Sequence, residues 1–428
     1  MNTIVNVEDD KMIDVSFNQD NSCFSIGTEN GFKIYQTYPF KGPYERKMNG
    51  GISKVQMLYK SNFLALLGGG KLPKYNNNKV IIWDDYENRS ISELKFITPV
   101  INIKLKKDYL FIICRKRIYV FNFNTYDIIE IIDTGDNPKG LIAINNEPNF
   151  TIMAYPAIKD LNKVSIKNFK SKKNITFIAQ DDNISFMTIN NEGTIIATAN
   201  EKGNFVKIHS CIDGTFINAF KRGRDKVDYI YICFDKETKF MAVSSNKGTI
   251  HIFSLKSTIQ KLKKLEEMKN QKENKENKES KENKENEKKK MEINEKESED
   301  KIETLKEEEE ENEEDDDNLF LKEKKKEEED NINIINEKKE KEKDEVLPDN
   351  SKTFFGQKEK GFAKVKIKPQ KNICTFVDND LLIVISYDEK YYQAEIDKKK
   401  GGICKIKEER NLNNFIFIIH YTKTIIFR

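Results

Sequence analysis

Catalytic groups are scarce in this chain. It has three histidines, His209, His251 and His420, and they form no H-E-x-x-H metal-binding pattern. No serine sits in a nucleophile elbow of the G-x-S-x-G kind. The glycine triplet in LLGGGKLPKYNNNK (residues 66–79) lacks the G-x-x-x-x-G-K-[ST] order, and no helical pattern follows it to cradle a phosphate. It reads as a long turn between strands. Together these absences argue against an enzyme and against a bound cofactor or metal. The six cysteines, Cys23, Cys114, Cys211, Cys233, Cys374 and Cys404, are scattered with no C-x-x-C spacing, which fits reduced thiols better than a disulfide frame or a zinc site. No uninterrupted apolar run approaches the roughly 20 residues that span a bilayer, and residues 1–10 are too acidic for a signal peptide. Any membrane contact is therefore expected from the water side.

Charge is abundant, at 34% of residues, and unevenly placed. Residues 257–350 contain 23 Lys against 35 Asp and Glu, a net of −12, so the rest of the sequence carries +15 although the whole is only +3. A body of that sign is drawn to anionic surfaces such as phosphates or the cytosolic leaflet. Its basic residues are dispersed and lack an interleaved aromatic platform, so specific nucleic-acid binding is not expected.

From residue 12 to about 255 the pattern is short β-branched and aromatic strands broken by Asn, Asp, Gly and Pro, as in residues 23–26, 32–35, 63–67, 80–83, 110–114 and 118–123. The class is all-β. Three stretches share one scheme: FNQDNSCFSIGTENGFKIYQT (17–37), INNEGTIIATANEKGNFVKIHS (189–210) and FDKETKFMAVSSNKGTIHIFS (234–254). Each has a strand, an Asp/Asn/Glu turn, a strand ending in small residues, a Gly turn and a third strand. The spacing of the last two is near the roughly 40–45 residues of a propeller blade. The single Trp lies in a Trp-Asp pair at Trp83-Asp84. Dividing the strand-rich part by the period predicts a seven-bladed WD-repeat-like β-propeller. Its blades fall at about residues 12–40, 51–94, 95–135, 138–178, 181–223, 226–256 with 361–368, and 370–410, and residues 1–10 are expected to complete the seventh.

Three parts follow: 1–256 for blades one to six, 257–350 as an insertion, and 351–428 for the end of blade six, blade seven and a tail. The insertion is Lys, Glu and Asn with almost no aromatics, too polar to offset its ordering entropy, so it is expected to be disordered. Within it, residues 259–268 have Lys/Glu pairs suited to a helical turn or two. The tail, FIFIIHYTKTIIFR (415–428), is either a docked strand pair or a membrane-seeking segment.

The chemistry concentrates at Phe220-Lys221-Arg222-Gly223, at the join of two blades. Neighbouring strand residues point to opposite sides, so Lys221 and Arg222 are placed to serve different blades. Arginine offers a planar two-donor fork to phosphate, lysine a compact point charge. By itself the pair also fits an ordinary solvated turn.

FKRG followed by SSNKGTIHIF (244–253) resembles the Phe-Arg-Arg-Gly hallmark and the following strand of the PROPPIN family. FNQDNSCFSIGTENGFKIYQTYPF, LLGGGKLPKYNNNKVIIWDD, IATANEKGNFVKI and YYQAEIDKKKGGICKI are similar to that family's first, second, fifth and last blades, in the right order. The resemblance implies a monomeric seven-bladed propeller that binds phosphatidylinositol 3-phosphate and phosphatidylinositol 3,5-bisphosphate in two pockets flanking the motif. The blade-five pocket would use Lys221 with Thr198, Lys202 and Lys207. The blade-six pocket would use Arg222 with Ser244, Ser245, Lys247, Thr249 and His251. The resemblance also implies an autophagy-related scaffold at preautophagosomal, endosomal or vacuolar membranes, with protein partners on other blades, one of them near residues 71–78. The insertion would occupy a blade-six loop that holds the propeller edge-on to the bilayer, with 319–321, 332–335 and 354–355 as candidate apolar dips. Three departures fall on the blade-five pocket: Lys221 and Lys207 replace arginines, and Ala179-Gln180 replaces Ala-His. That pocket is expected to be the weaker. A WD-repeat protein scaffold without lipid binding is the rival reading.

Overall fold

The computed structural model describes residues 10–269, 271, 361–378 and 380–412. Strands dominate, in seven sheets that each contain a four-stranded antiparallel meander; one of these sheets gains a fifth strand. The protein is a seven-bladed β-propeller.

The repeat has a hydrogen-bonding cause. Between the first and second strands of blades one, four, five and six stands a buried Asn or Asp whose side chain accepts the first N–H of the second strand: Asn18 from Cys23 at 3.0 Å, Asn145 from Ile152 at 2.8 Å, Asn190 from Ile195 at 3.0 Å, Asp235 from Phe240 at 2.8 Å. Each closes a tight turn whose backbone donor would otherwise be buried without a partner. The second strands that follow, Cys23–Thr28, Ile195–Asn200 and Phe240–Ser245 among them, are buried along nearly their whole length. They can be, because blades pack face to face. Val80, Ile82, Ile103, Leu110 and Ile112 form one such cluster between blades two and three. Ile250, Ile252, Val365, Leu382 and Val384 form another between blades six and seven. Each such side chain contributes roughly 1.5–3 kcal/mol when fully buried.

Blade six is built from Ile230–Phe234, Phe240–Ser245, Thr249–Ser254 and Ala363–Lys366, with the short strand Gly402–Ile403 added in parallel at its outer edge. Thr249 pairs with Lys366 and His251 with Lys364. The intervening segment is therefore an insertion between the third and fourth strands of one blade. Gly248 shows how closely the two sides meet: its φ is +75°, and a Cβ there would lie 2.5 Å from the Ile367 carbonyl oxygen. After the third strand, residues 256–269 are helical, longer than the turn or two expected. The Asn218 amide donates to the Thr258 and Ser257 hydroxyls at 3.0 and 3.3 Å, tying the start of this helix to blade five. Most of 257–350, the three candidate apolar dips and the tail 415–428 lie outside the described residues.

Among the described residues the fourth strand of blade seven is Lys405–Asn411, next to Lys390–Glu395 and within the range expected for that blade. Residues 1–9, expected to add to it, lie outside the described residues. Blades one and seven then join through side chains. Tyr35 donates to the Leu412 carbonyl and Tyr391 to the Thr37 carbonyl, both at 3.1 Å, and Tyr387 donates to Asp14 at 2.7 Å. Phe24, Ile26, Ile383 and Ile385 pack behind them.

Candidate phosphoinositide site

Cross-strand register decides which candidate residues share a face, since directly opposed residues project to the same side of a sheet. In blade five Thr198 opposes Lys207, Lys207 opposes Ala219, and Phe205 opposes Lys221. Lys221 lies two residues beyond Ala219, so Thr198, Lys207 and Lys221 share one face of the blade. Lys202 is exposed on the turn that precedes the third strand.

These cations already have local counter-charges. Lys207, buried to 8% exposure, contacts Asp181 at 2.9 Å. Lys202 contacts Asp182 at 2.7 Å, which raises its pKa through that hydrogen bond and charge. The Thr198 hydroxyl accepts from the Gln180 amide at 2.9 Å, and the Gln180 side-chain oxygen is buried without a hydrogen-bond partner. Gln180 thus occupies the hydroxyl, and Asp181 and Asp182 neutralise the two lysines. Gln180 was expected at this pocket as a departure from the family pattern; Asp181 and Asp182 were not anticipated as part of it. Their consecutive positions just before the first strand, Ile184–Ile189, were the available signal.

The motif itself bridges two blades. Phe220 is fully buried, its ring 5.2 Å from that of Phe253 in blade six. Lys221 ends the fourth strand of blade five, and Arg222 follows it with its side chain turned back over the preceding turn. The Arg222 Nε donates to the Gly203 carbonyl at 2.6 Å and Nη2 to the Asp225 carbonyl. Burial lowers its pKa, partly offset by the charge of Asp225. A Cβ at Gly223 would meet nothing within 4 Å.

In blade six, Val243 opposes His251, and His251 opposes Lys364; Thr249 opposes Lys366. Ser245 lies two residues beyond Val243, so Ser245, Thr249, His251, Lys364 and Lys366 share one face. Arg222 is close enough to depress the pKa of His251, which falls to about 4 through burial first, then the charges of Lys364 and Arg222. His251 is therefore a neutral imidazole at pH 7 among cations. Ser244 projects to the other face, where its hydroxyl donates to the Asn372 carbonyl of blade seven at 3.4 Å. Lys247 is exposed at the turn, with its backbone N–H on the Ser245 hydroxyl at 3.5 Å. Lys364 and Lys366 were missed by sequence reasoning because the insertion separates them from the motif, and only the strand register returns them.

The PROPPIN family model matches residues 12–268, which include the blade-five face, the motif and the blade-six residues up to His251. The protein belongs to the PROPPIN family. Among similar PROPPINs, autophagy-related protein 18e of Arabidopsis thaliana is 34% identical over 261 residues, covering 58% of this chain and 67% of that protein. SVP1-like protein 2 of Schizosaccharomyces pombe is 35% identical over 254 residues, covering 58% and 70%. The solved structure of Kluyveromyces lactis Hsv2 superposes with a TM-score of 0.62 at 18% identity, over 94% of this chain and 99% of that one, a likeness of fold. As a PROPPIN it falls among autophagy-related phosphoinositide-binding propellers, which are non-enzymatic scaffolds. Among its described residues no helix is long and apolar enough to cross a membrane.

Proposed function

We propose that this PROPPIN is a peripheral-membrane effector that captures phosphatidylinositol 3-phosphate and phosphatidylinositol 3,5-bisphosphate through pockets on either side of Lys221-Arg222. The observation that carries the reading is the blade-six face, where Ser245, Thr249, His251, Lys364 and Lys366 gather beside Arg222. A phosphate offers more acceptor positions than one guanidinium fills. Two hydroxyls, an imidazole and two ammonium groups complete the donor set. Ser244, turned toward blade seven, stands outside this set, and Lys247, exposed at the turn, would meet lipid phosphates outside the pocket.

The blade-five pocket, with Lys221, Thr198, Lys202 and Lys207, is the weaker partner. A phosphate there must displace Asp181 and Asp182 from the lysines and Gln180 from Thr198. A sheet face with that much internal neutralisation binds a dianion less well than one whose cations are left facing each other.

Protein partners use other blades. Leu72 and Ile97, at 79% and 98% exposure, flank the glycine-rich turn of blade two where the partner site is expected. A related fold has been solved as a complex of KlAtg21 with the coiled-coil of AgAtg16, with a TM-score of 0.61 and 15% identity. A coiled-coil partner is the corresponding proposal here. Recruitment to preautophagosomal, endosomal or vacuolar membranes follows from the lipids proposed. The test is vesicle binding: wild type should pellet with 3-phosphorylated inositides and not with phosphatidylinositol, and a Lys364→Thr/Lys366→Thr variant should lose most of that selectivity. Unselective pelleting would favour a protein scaffold without lipid recognition.

A further inference from the structure

The first strands of all seven blades surround an axial cavity of about 570 Å³. Such strands alternate their side chains in and out, and the inward positions are expected to be neutral or balanced, because charges crowded at low dielectric repel. Here they are not balanced. Five lysines line the cavity against three acids, Asp14, Glu201 and Asp228.

Following the partners isolates one cation. Lys54 pairs with Asp14 at 2.7 Å, and Asp14 also accepts from the Tyr387 hydroxyl. Lys139 is 3.6 Å from Glu201. Lys106 donates to the Asn145 side chain at 2.9 Å and to the Phe150 carbonyl at 2.5 Å. Asp228 accepts from Asn246 at 3.1 Å. Lys371 lies over the rings of Tyr387 and Tyr229, 4.0 and 4.9 Å from their centroids. Among the described residues the Lys104 ammonium has neither a hydrogen-bond nor an ion-pair partner, and its charged neighbours are Lys54 and Asp14. Burial first, then the charge of Lys54, lower its pKa to about 8 against the opposing pull of Asp14, and burial lowers that of Lys371 as well.

We propose that the axial cavity holds a small oxyanion of the phosphate class, gripped by Lys104 with Lys54 and Lys371 around it. The anion would supply the missing negative charge where the nearest carboxylate, Asp14, is already shared between Lys54 and Tyr387. It would also join inward-facing groups of blades two and three to the start of blade seven, so occupancy should stiffen the ring. This site is separate from the Lys221-Arg222 motif, whose pockets lie on the faces of blades five and six.

The experiment uses the full-length protein with Lys221→Thr/Arg222→Thr, which removes the motif cations. Thermal unfolding is followed against rising sodium phosphate, with sodium chloride at matched ionic strength as reference, and in parallel against soluble inositol 1,3-bisphosphate. A saturable rise in Tm with either anion is expected, because a ligand of the folded state stabilises it by mass action. The larger rise identifies whether free phosphate or a headgroup suits the cavity. Adding Lys104→Met, or Lys371→Met as a second variant, should abolish the rise; without anion Lys104→Met should unfold no earlier than its parent, since it removes an unpaired charge. No saturable rise in the motif-less protein, or its persistence in both Met variants, would overturn the proposal.

Discussion

His251 stands directly opposite Lys364 on adjacent strands of blade six, although the whole charged insertion separates them in sequence. The pairing places a neutral imidazole against an ammonium, with Arg222 close by. Among the described residues the acid that acts on this cluster is Asp225, on Arg222, which leaves Lys364 and Lys366 exposed to an incoming anion.

Removing Lys364 should therefore weaken inositide capture while leaving the fold in place. A hydrogen bond to a charged group contributes about 1.5–3 kcal/mol, so Lys364→Thr should lower affinity for phosphatidylinositol 3-phosphate vesicles by about ten-fold or more. A thermal melt of the same variant should change little, because Lys364 is exposed on the sheet surface. Unchanged vesicle affinity would remove Lys364 from the pocket.

His251 gives a pH signature whose sign is fixed. Its folded pKa, about 4, lies below the ordinary value of 6.5, so the unfolded state takes up the proton first as pH falls. The stability it contributes is complete above about pH 6.5 and is lost as pH falls toward about 4. Wild type should thus lose more stability across that window than His251→Gln, measured as the difference between their melting curves. A bound phosphate should raise the His251 pKa and reduce this difference; an NMR titration of the imidazole with and without inositol 1,3-bisphosphate checks it.

The acidic brake on blade five can be lifted. Asp181→Ala should free Lys207 from its ion pair, and Asp182→Ala should do the same for Lys202. Together they should raise the affinity or stoichiometry of soluble headgroup several-fold in calorimetric titration. Asp181 is 59% exposed but its partner Lys207 is nearly buried, so losing the pair should lower Tm, and the titration is read beside a melt. No gain in binding would mean that Gln180, not the aspartates, closes the pocket.

Closure of the ring depends on the tyrosine contacts between blades one and seven. Tyr391→Phe and Tyr35→Phe each delete one donor to a buried carbonyl and should cost about 1 kcal/mol apiece. Tyr391→Ala also empties a fully buried aromatic site and should cost about 3–5 kcal/mol. Denaturant melts with matched slopes provide the comparison.

Sequence patterning made the propeller legible because its repeat is local: an Asn or Asp turn, a small-residue strand and a Gly turn recur within a few dozen residues. The motif was legible for the same reason. What escaped was set by pairing at a distance. Lys364 and Lys366 belong to the site only through their register with His251 and Thr249, and nothing near them in sequence marks that. Ser244 was grouped with Ser245, yet strand alternation sends its hydroxyl to Asn372 on the other face.

Arg222 complicates any test of the motif, because its guanidinium also holds the Gly203 and Asp225 carbonyls. Removing it takes a donor from the buried Gly203 carbonyl, at a cost of about 1–3 kcal/mol, so every binding assay needs a melt beside it. The most direct measurement is co-sedimentation with vesicles containing phosphatidylinositol, its 3-phosphate or its 3,5-bisphosphate at physiological salt, for wild type and Lys221→Thr/Arg222→Thr. The account predicts that wild type pellets selectively with the 3-phosphorylated lipids and that the variant, still folded by its melt, stays in the supernatant. Equal pelleting of the two folded proteins, or none by either, would contradict it.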